Sequence, residues 1–453
     1  MSREGVTIGI DVGSTAVKAV AADADGRVTA RARIPHGLRV PTPNRLEHDA
    51  DEAWRRGPLA ALGELRPGPE VRAVAVAAMV PSMTAVDAGG TPLTPGLLYG
   101  DERGRVPGEQ APPLPALGEA AEFLRWTAAE APGAAGYWPA PAVANHALAG
   151  EALIDVATAA TAFPLFDGTG WNPTACAERG ATFEQMPRVE TIGTAAGQVR
   201  GTGAVLGVGA IDALCEQIVA GADRDGDVLV MCGTTLIVWA ILPEARQVPG
   251  LWTIPHTTAG KSLIGGASNA GGLFLGWVDR LVAPGDPESA GPHRVPVWSP
   301  YIRGERTPFH DPDRRAVLDA LDLTHDAASL RRAAYEASGF VVRQLIELSG
   351  APAARIVATG GGTRLQPWMQ AIADATGRPV EVSAVAEGAA LGAAFLARIA
   401  AGLETTIADA ARWASTDRVV EPDRGWAAAI EERYQRFLEL GNRPSEAIPP
   451  AAI

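Results

Sequence analysis

Two hairpins built around small, flexible turns constrain this chain more than any other feature. The first, VTIGIDVGSTAVKAV over Val6–Val20, runs apolar to Asp11, turns through Gly13-Ser14-Thr15 and leaves through Lys18. The second, VLVMCGTTLIVW over Val228–Trp239, sets Gly233-Thr234-Thr235 at the equivalent place. A turn without bulky side chains lets backbone N–H groups and hydroxyls approach a phosphate chain closely. One such turn would only join two strands. Two, each opening a long segment, point to a duplicated fold that grips phosphates with both copies.

A chain of 453 residues is too long for one compact core, so two domains are expected. Hydrophobic content of 47% with 20% charged residues describes an ordinary globular protein. A formal net charge of -13 argues against a nucleic-acid partner, which calls for a basic face. The N-terminal MSREG leads straight into a strand with no charged-then-apolar leader. No stretch approaches the roughly 18 uninterrupted apolar residues of a spanning helix, so no membrane role is expected. Cys176, Cys215 and Cys232 are odd in number and widely spaced, which favours reduced thiols and a cytoplasmic setting. The seven histidines show no HxxxH spacing, so no structural metal site is expected. Among 39 basic residues only Lys18 and Lys261 are lysines, which singles out Lys18 beside a phosphate-type turn, although a solvated strand-end lysine reads the same way.

Residues 6–34 read as three antiparallel strands, the third following a turn at Asp25-Gly26. Asp49–Leu65 reads as a helix, and Val71–Val76 as a buried strand after a proline break. Hairpins followed by helix–strand units are the ribonuclease-H-like pattern of actin-type domains. Glu102–Ala142, proline-rich with one amphipathic piece at Glu119–Glu130, reads as a surface excursion over a cleft. Residues 151–205 carry mixed signals and no assigned elements. The expected domains are 1–205, 206–405 and a helical tail, 406–453, with a loose proline-rich end. In the second domain the pattern predicts helices at Leu273–Leu281, Ala327–Leu348, Leu365–Thr376 and Gly388–Ala401. The long helix presents Leu330, Ala334, Ala337, Val341, Leu345 and Leu348 on one apolar face.

Asp212, in the buried-looking GVGAIDAL segment, has the chemistry to take a proton from a hydroxyl attacking a terminal phosphoryl group. It also reads as the N-cap of a helix over Leu214–Ala222, and the two roles are compatible. Asp11, closing the first strand, can hold Mg²⁺ directly or through water, or simply cap its turn. Gly360-Gly361-Gly362, between a strand and a helix, suits either a nucleotide-wrapping loop or a tight connection. The order of these features along the chain favours the nucleotide reading.

With these stretches in place, the chain resembles the FGGY carbohydrate kinases, particularly their xylulokinase-like branch, over nearly its full length. The similar stretches are IGIDVGSTAVKAV, VRAVAVAAM with LLYGDER, GVGAIDALCEQIVAGA, GDVLVMCGTTLIVWAI, SPYIRGERTP, VATGGGTRLQPWMQAIADATG and EGAALGAAFLARIAAG. The resemblance implies two actin-like (ribonuclease-H-like) α/β domains flanking a cleft, ATP with Mg²⁺, and phosphorylation of a sugar or polyol hydroxyl. It makes Asp212 the catalytic base and Asp11 the metal-linked acid. Gly13, Ser14, Thr15, Gly233, Thr234 and Thr235 become the phosphate turns, with Lys18 beside the first, and Gly361, Gly362 and Arg364 the adenosine loop. On the acceptor side it points to Met79, Pro81, Ser82, Tyr99, Asp101 and Arg103, together with Asp212.

Departures fall on that acceptor side. The family's Gln-Met-His-Gly becomes Met79-Val80-Pro81-Ser82, its Trp-Asn-Asp becomes Tyr99-Gly100-Asp101, and its Asn after the base becomes Ala213. These changes remove a polar pair and point to a less polar or differently shaped acceptor than D-xylulose, within the sugars and polyols such as ketopentoses. The partner expected is thus a small molecule, and a homodimer is compatible with the sequence. The alternative is a catalytically weak nucleotide-binding regulator derived from such a kinase; retention of Asp212 and both turns speaks against it. A chaperone-like ATPase of the same superfold would need a separate substrate domain.

Overall fold

A computed structural model describes residues 5–42, 44–66, 70–106, 119–256, 260–384 and 387–443. The chain divides into two compact units, one of residues 1–219 and 387–413, the other of residues 220–386 and 414–453.

The first unit is organised on a six-stranded sheet. Its order is Ala195–Gln198, Val205–Gly207, Val71–Ala78, Val6–Val12, Ala16–Ala22 and Val28–Pro35. The last three form the expected antiparallel ladder, and Val71–Ala78 joins Val6–Val12 in parallel. Val6–Val12 is buried on both faces, which explains its near-continuous apolar run. One face carries the helix Gly388–Ala400, whose small residues permit close approach. A Cβ on Gly9 would collide with the Ala390 carbonyl, and Thr7 Oγ1 donates to the Ala394 carbonyl at 2.8 Å. The predicted helix 49–65 opens with a π-helical stretch, Asp51–Arg56, before the α-helix Gly57–Leu65. Pro58 supplies no N–H at this junction, and the Gly57 N–H reaches back to Glu52 O.

The second unit repeats the plan with seven strands: Trp252–Pro255, Ser262–Ser268, Leu236–Leu242, Asp227–Cys232, Arg355–Thr359, Val380–Ser383 and Thr416–Val420. Its hairpin Asp227–Cys232/Leu236–Leu242 again lies at the centre, with Arg355–Thr359 and Val380–Ser383 added in parallel. The helix Ala327–Ser349 covers the sheet through Ala334, Ala337, Val341 and Leu345. Leu348, expected on that face, is 42% exposed.

This division differs from the expected one. Val205–Gly207 pairs with Val71–Ala78, so residues 206–219 stay with the first unit rather than opening the second. The Gly388–Ala400 helix returns to the first unit, where its backbone closes on Gly9 of the strand Val6–Val12. The tail splits: Trp413 packs against Gly26 and donates to the Ala24 carbonyl, whereas Thr416–Val420 and the helix Ala427–Gly441 belong to the second unit. Nor is 119–142 a surface excursion. The helix Glu119–Glu130 buries Phe123 and Leu124 in a core with Met83, Leu97 and Tyr137. Residues 107–118 and the proline-rich end, 444–453, lie outside the described residues. Among the described residues no helix is long and apolar enough to cross a membrane.

Candidate active site

The first unit brings two predicted carboxylates to one end of its sheet. Ile211 bridges Ala78 in parallel, and Met79 N donates to Val12 O at 3.4 Å. Asp11 and Asp212 therefore lie at the carboxyl ends of the two strands that flank Val71–Ala78, where open α/β sheets bind ligands. Asp11 stands directly across the hairpin from Lys18, whose Nζ lies 3.5 Å from Asp11 Oδ2. Asp11 is 5% exposed, and no hydrogen bond reaches its buried Oδ1. Burial raises its pKa against the pull of Lys18. The ammonium of Lys18 is held protonated chiefly by Asp11, with Glu216 and Glu387 adding to the field.

Asp212 is the first residue of the helix Asp212–Ala220, two residues earlier than predicted, and its Oδ1 accepts from Ala213 N at 2.7 Å. Part of its surface stays open, but burial of the carboxyl and then the charge of Asp11 push its pKa up to about 6. A carboxylate titrating near neutrality is tuned for proton transfer. Packing fixes its helix, because Gly392 lies so near the Cys215 carbonyl that a Cβ has no room.

The first turn is braced from below. Gly13 N donates to Ala16 O at 3.2 Å, and His36 N to Thr15 O at 3.1 Å. Trp54 Nε1 donates to His48 Nδ1 at 3.0 Å, and His48 Nε2 lies 2.8 Å from Ser14 O. An indole N–H only donates, so Nδ1 accepts and the proton sits on Nε2, bonded to Ser14 O. Burial lowers the His48 pKa to about 4, so this brace is neutral at physiological pH. The sequence reading missed His48 and Trp54, which carry no motif.

On the acceptor side most polar groups are committed to the protein itself. Asp101 is fully buried and accepts from Leu46 N, Arg103 N and the Arg103 guanidinium at 2.7–2.9 Å. Arg103 also pairs with Glu47 at 2.7 Å and lies over the Trp126 ring. Ser82 Oγ receives Ala140 N at 3.0 Å and faces Met79 O at 3.4 Å, while Met79 sits in the apolar core and Pro81 is buried. Asp101, Arg103 and Ser82 thus each carry internal partners, and Met79 packs in the core. Tyr99 stays partly exposed, and its hydroxyl shares a 2.9 Å hydrogen bond with Ser14 Oγ.

The second unit assembles the other predicted group. Gly233 N donates to Thr235 O at 3.2 Å, and the start of the helix Gly272–Leu281 holds the turn, with Gly272 N on Gly233 O and Leu273 N on Thr234 O at 2.9–3.0 Å. Gly360 and Gly362 pack against the Cys232 carbonyl with no space for a Cβ, which sets the glycine loop beside this turn. Gly361 faces open space and Arg364 is exposed. From the GERTP stretch, Arg306 Nη2 donates to Thr235 Oγ1 at 3.2 Å. The neighbouring Glu305 is 2% exposed and accepts from Ser268 Oγ, Asn269 N and Arg306 N at 2.7–3.1 Å; burial pushes its pKa up to about 7. In the sequence SPYIRGERTP is one of the stretches that carry the family resemblance, with no role assigned to it.

Family models of the FGGY carbohydrate kinases match this chain at residues 6–107, the N-terminal domain, and 228–401, the C-terminal domain. The chain belongs to the FGGY family of carbohydrate kinases. It is an ATP-dependent kinase acting on an alcohol group of a small sugar or polyol. It is 24% identical over 449 residues to the gluconokinase of Bacillus subtilis, covering 87% of each chain. To the xylulose kinase of Escherichia coli it is 25% identical over 489 residues, covering 96% of this chain and 98% of that one. In structure it matches the gluconate kinase of Lactobacillus acidophilus with a TM-score of 0.80, 20% identity and coverage of 96% and 97%. Both units therefore carry the two-domain, actin-like fold of the family, as expected.

Proposed function

We propose that this kinase uses Asp212 as general base on a sugar or polyol hydroxyl, the acceptor being one that does not need a polar pair at residues 79–82. The observation that carries the base assignment is the site around Asp212: a carboxylate at the strand ends, poised near pH 6, beside Asp11 and Lys18. As the hydroxyl oxygen attacks the γ-phosphorus, its proton passes to the free oxygen of Asp212, and the bond to the ADP leaving oxygen breaks. Ser14 and Thr15 offer backbone and hydroxyl donors to the phosphates, and Lys18 offsets negative charge gathering there. In the second unit, Gly233, Thr234 and Thr235 hold phosphate oxygens, while Gly361, Gly362 and Arg364 border the adenosine.

Asp11 fits a magnesium ion. Its buried Oδ1 has no hydrogen-bond partner, and this cation is commonly held by one or two carboxylates with water and phosphates. Among the described residues no cluster of three or more His, Cys, Asp or Glu could hold a metal ion. Bound there, Mg²⁺ would neutralise phosphate charge.

The acceptor preference follows from residues 79–82. Met79 is core, Pro81 is buried and Ser82 Oγ is hydrogen-bonded within the protein, so the side chains of this stretch offer no polar pair to an acceptor. Asp101 and Arg103 act as positioning residues, bracing Leu46 and Glu47 next to His48. Tyr99, bonded to Ser14, keeps an open surface on the acceptor side. An ADP-release assay over ketopentoses, aldonates and small polyols tests the reading. One strongly preferred acceptor other than xylulose is expected; a preference for xylulose, or equal weak rates with every acceptor, refutes it.

A further inference from the structure

The Gly233-Thr234-Thr235 turn has no charge of its own, and the strand positions behind it, Met231 and Ile237, are apolar partners. Charge reaches it from a loop far along the chain. Arg306 lies in Tyr301–Pro308, and its guanidinium touches the turn through Thr235 Oγ1. The backbone on both sides of Arg306 is pinned to the sheet. Glu305, buried, takes Ser268 Oγ and Asn269 N on one side, and Thr307 N donates to Ala267 O at 3.2 Å on the other. Gly266 has no space for a Cβ against the Thr307 side chain, so the loop lies tight on the strand Ser262–Ser268. Asn269 Nδ2 donates to the Arg303 and Gly304 carbonyls at 3.2 and 2.9 Å, which ties the loop to the end of that strand. This much backbone anchoring around one arginine delivers a planar, permanently charged fork to a turn of phosphate-binding type.

We infer that Arg306 is a phosphate-binding residue of the second turn, its guanidinium donating to an oxygen of the nucleotide's phosphate chain beside Thr235. The inference rests on the reading of Gly233-Thr234-Thr235 as a phosphate grip. In that position Arg306 does for the second unit what Lys18 does for the first, with a fork in place of a point charge.

Calorimetry on the whole protein with ADP and with adenosine tests this, using Arg306→Ala, Arg306→Lys and, as a separate probe of the turn, Thr234→Val. Arg306→Ala should weaken ADP about 10–100-fold, the range of a charge-assisted hydrogen bond, and leave adenosine within about twofold. Arg306→Lys keeps the charge and loses the fork, so it should fall between Ala and wild type. If folded Arg306→Ala and Arg306→Lys bind ADP as wild type does, or lose ADP and adenosine equally, while Thr234→Val weakens ADP selectively, Arg306 is a structural residue and the inference alone fails. If Thr234→Val also binds ADP unchanged, the turn does not hold phosphate and both readings fall. Should Arg306→Ala not fold, the Arg306→Lys comparison decides.

Discussion

The two hairpins of this kinase share a plan and differ in where their charge comes from. In the first, Asp11 and Lys18 face each other across the strands, so acid and base are written into adjacent residues of one hairpin. In the second, the same positions hold Met231 and Ile237, and the cation at the turn arrives from Arg306 on a loop. The turns also close differently. Val12 pairs with Val17, but Cys232 pairs with Leu236, so the second turn is one residue shorter. A duplicated fold keeps its backbone hydrogen bonds because every copy must satisfy its buried N–H and C=O groups. Side-chain charge is under no such constraint, and here Asp11, Lys18 and Asp212 all gather in the first unit.

The comparison is broken most directly at Asp212. Asp212→Asn should lower kcat by about 10²–10⁴-fold, the span of general-base catalysis, while ADP affinity measured by calorimetry changes little. A loss shared by ADP affinity would move Asp212 from catalysis to nucleotide binding.

Packing separates the units next. Gly9→Ala drives a Cβ into the helix Gly388–Ala400, and Gly339→Ala in the second unit places one 2.7 Å from the Ala371 carbonyl. Chemical denaturation should show both variants destabilised, Gly9→Ala more severely, since overpacking costs about 1–3 kcal/mol and often more where backbone is struck.

The pH profile sharpens the electrostatic contrast. With Asp212 titrating at about 6, kcat/KM should fall as pH drops through 6, because the protonated acid accepts no proton. Asp11→Asn removes a like charge, so this acid limb should move to lower pH, whereas Arg306→Lys should leave it in place. His48, at about 4, adds no limb between pH 5 and 8. Stability runs the opposite way. A raised carboxyl pKa means that protonation favours the folded state, so this contribution is full below the unfolded pKa of 3.8 and lost as pH rises through about 6. Asp212→Asn should therefore melt above wild type at pH 7.5.

The smallest effect is expected at Tyr99→Phe, which removes the bond to Ser14 Oγ. A net loss of about 1 kcal/mol corresponds to roughly fivefold in the KM for ATP. An unchanged value would leave Tyr99 to the acceptor alone.

Sequence by itself determined the paired hairpins, the strand-end Asp11, the glycine loop and Asp212. Each depends on local chemistry: an apolar run, a turn lacking bulk, an acid at the register position where a strand stops. The same local logic recovered the long helices, since a stripe of apolar residues must find a core. Tertiary structure alone decided which half owns the Gly388–Ala400 helix, because close approach depends on what a glycine faces, not on where it lies in the chain. It also gave Asp101, Arg103 and Ser82 internal partners that no local pattern announces. The residues 119–142 became core rather than surface cover for a related reason: short apolar pieces reveal themselves only when they meet one another, as Phe123 does with Met83 and Tyr137. His48 and Arg306 reach their turns across 34 and 71 residues, and no spacing rule spans such loops; only the folded sheet brings those donors to their oxygens.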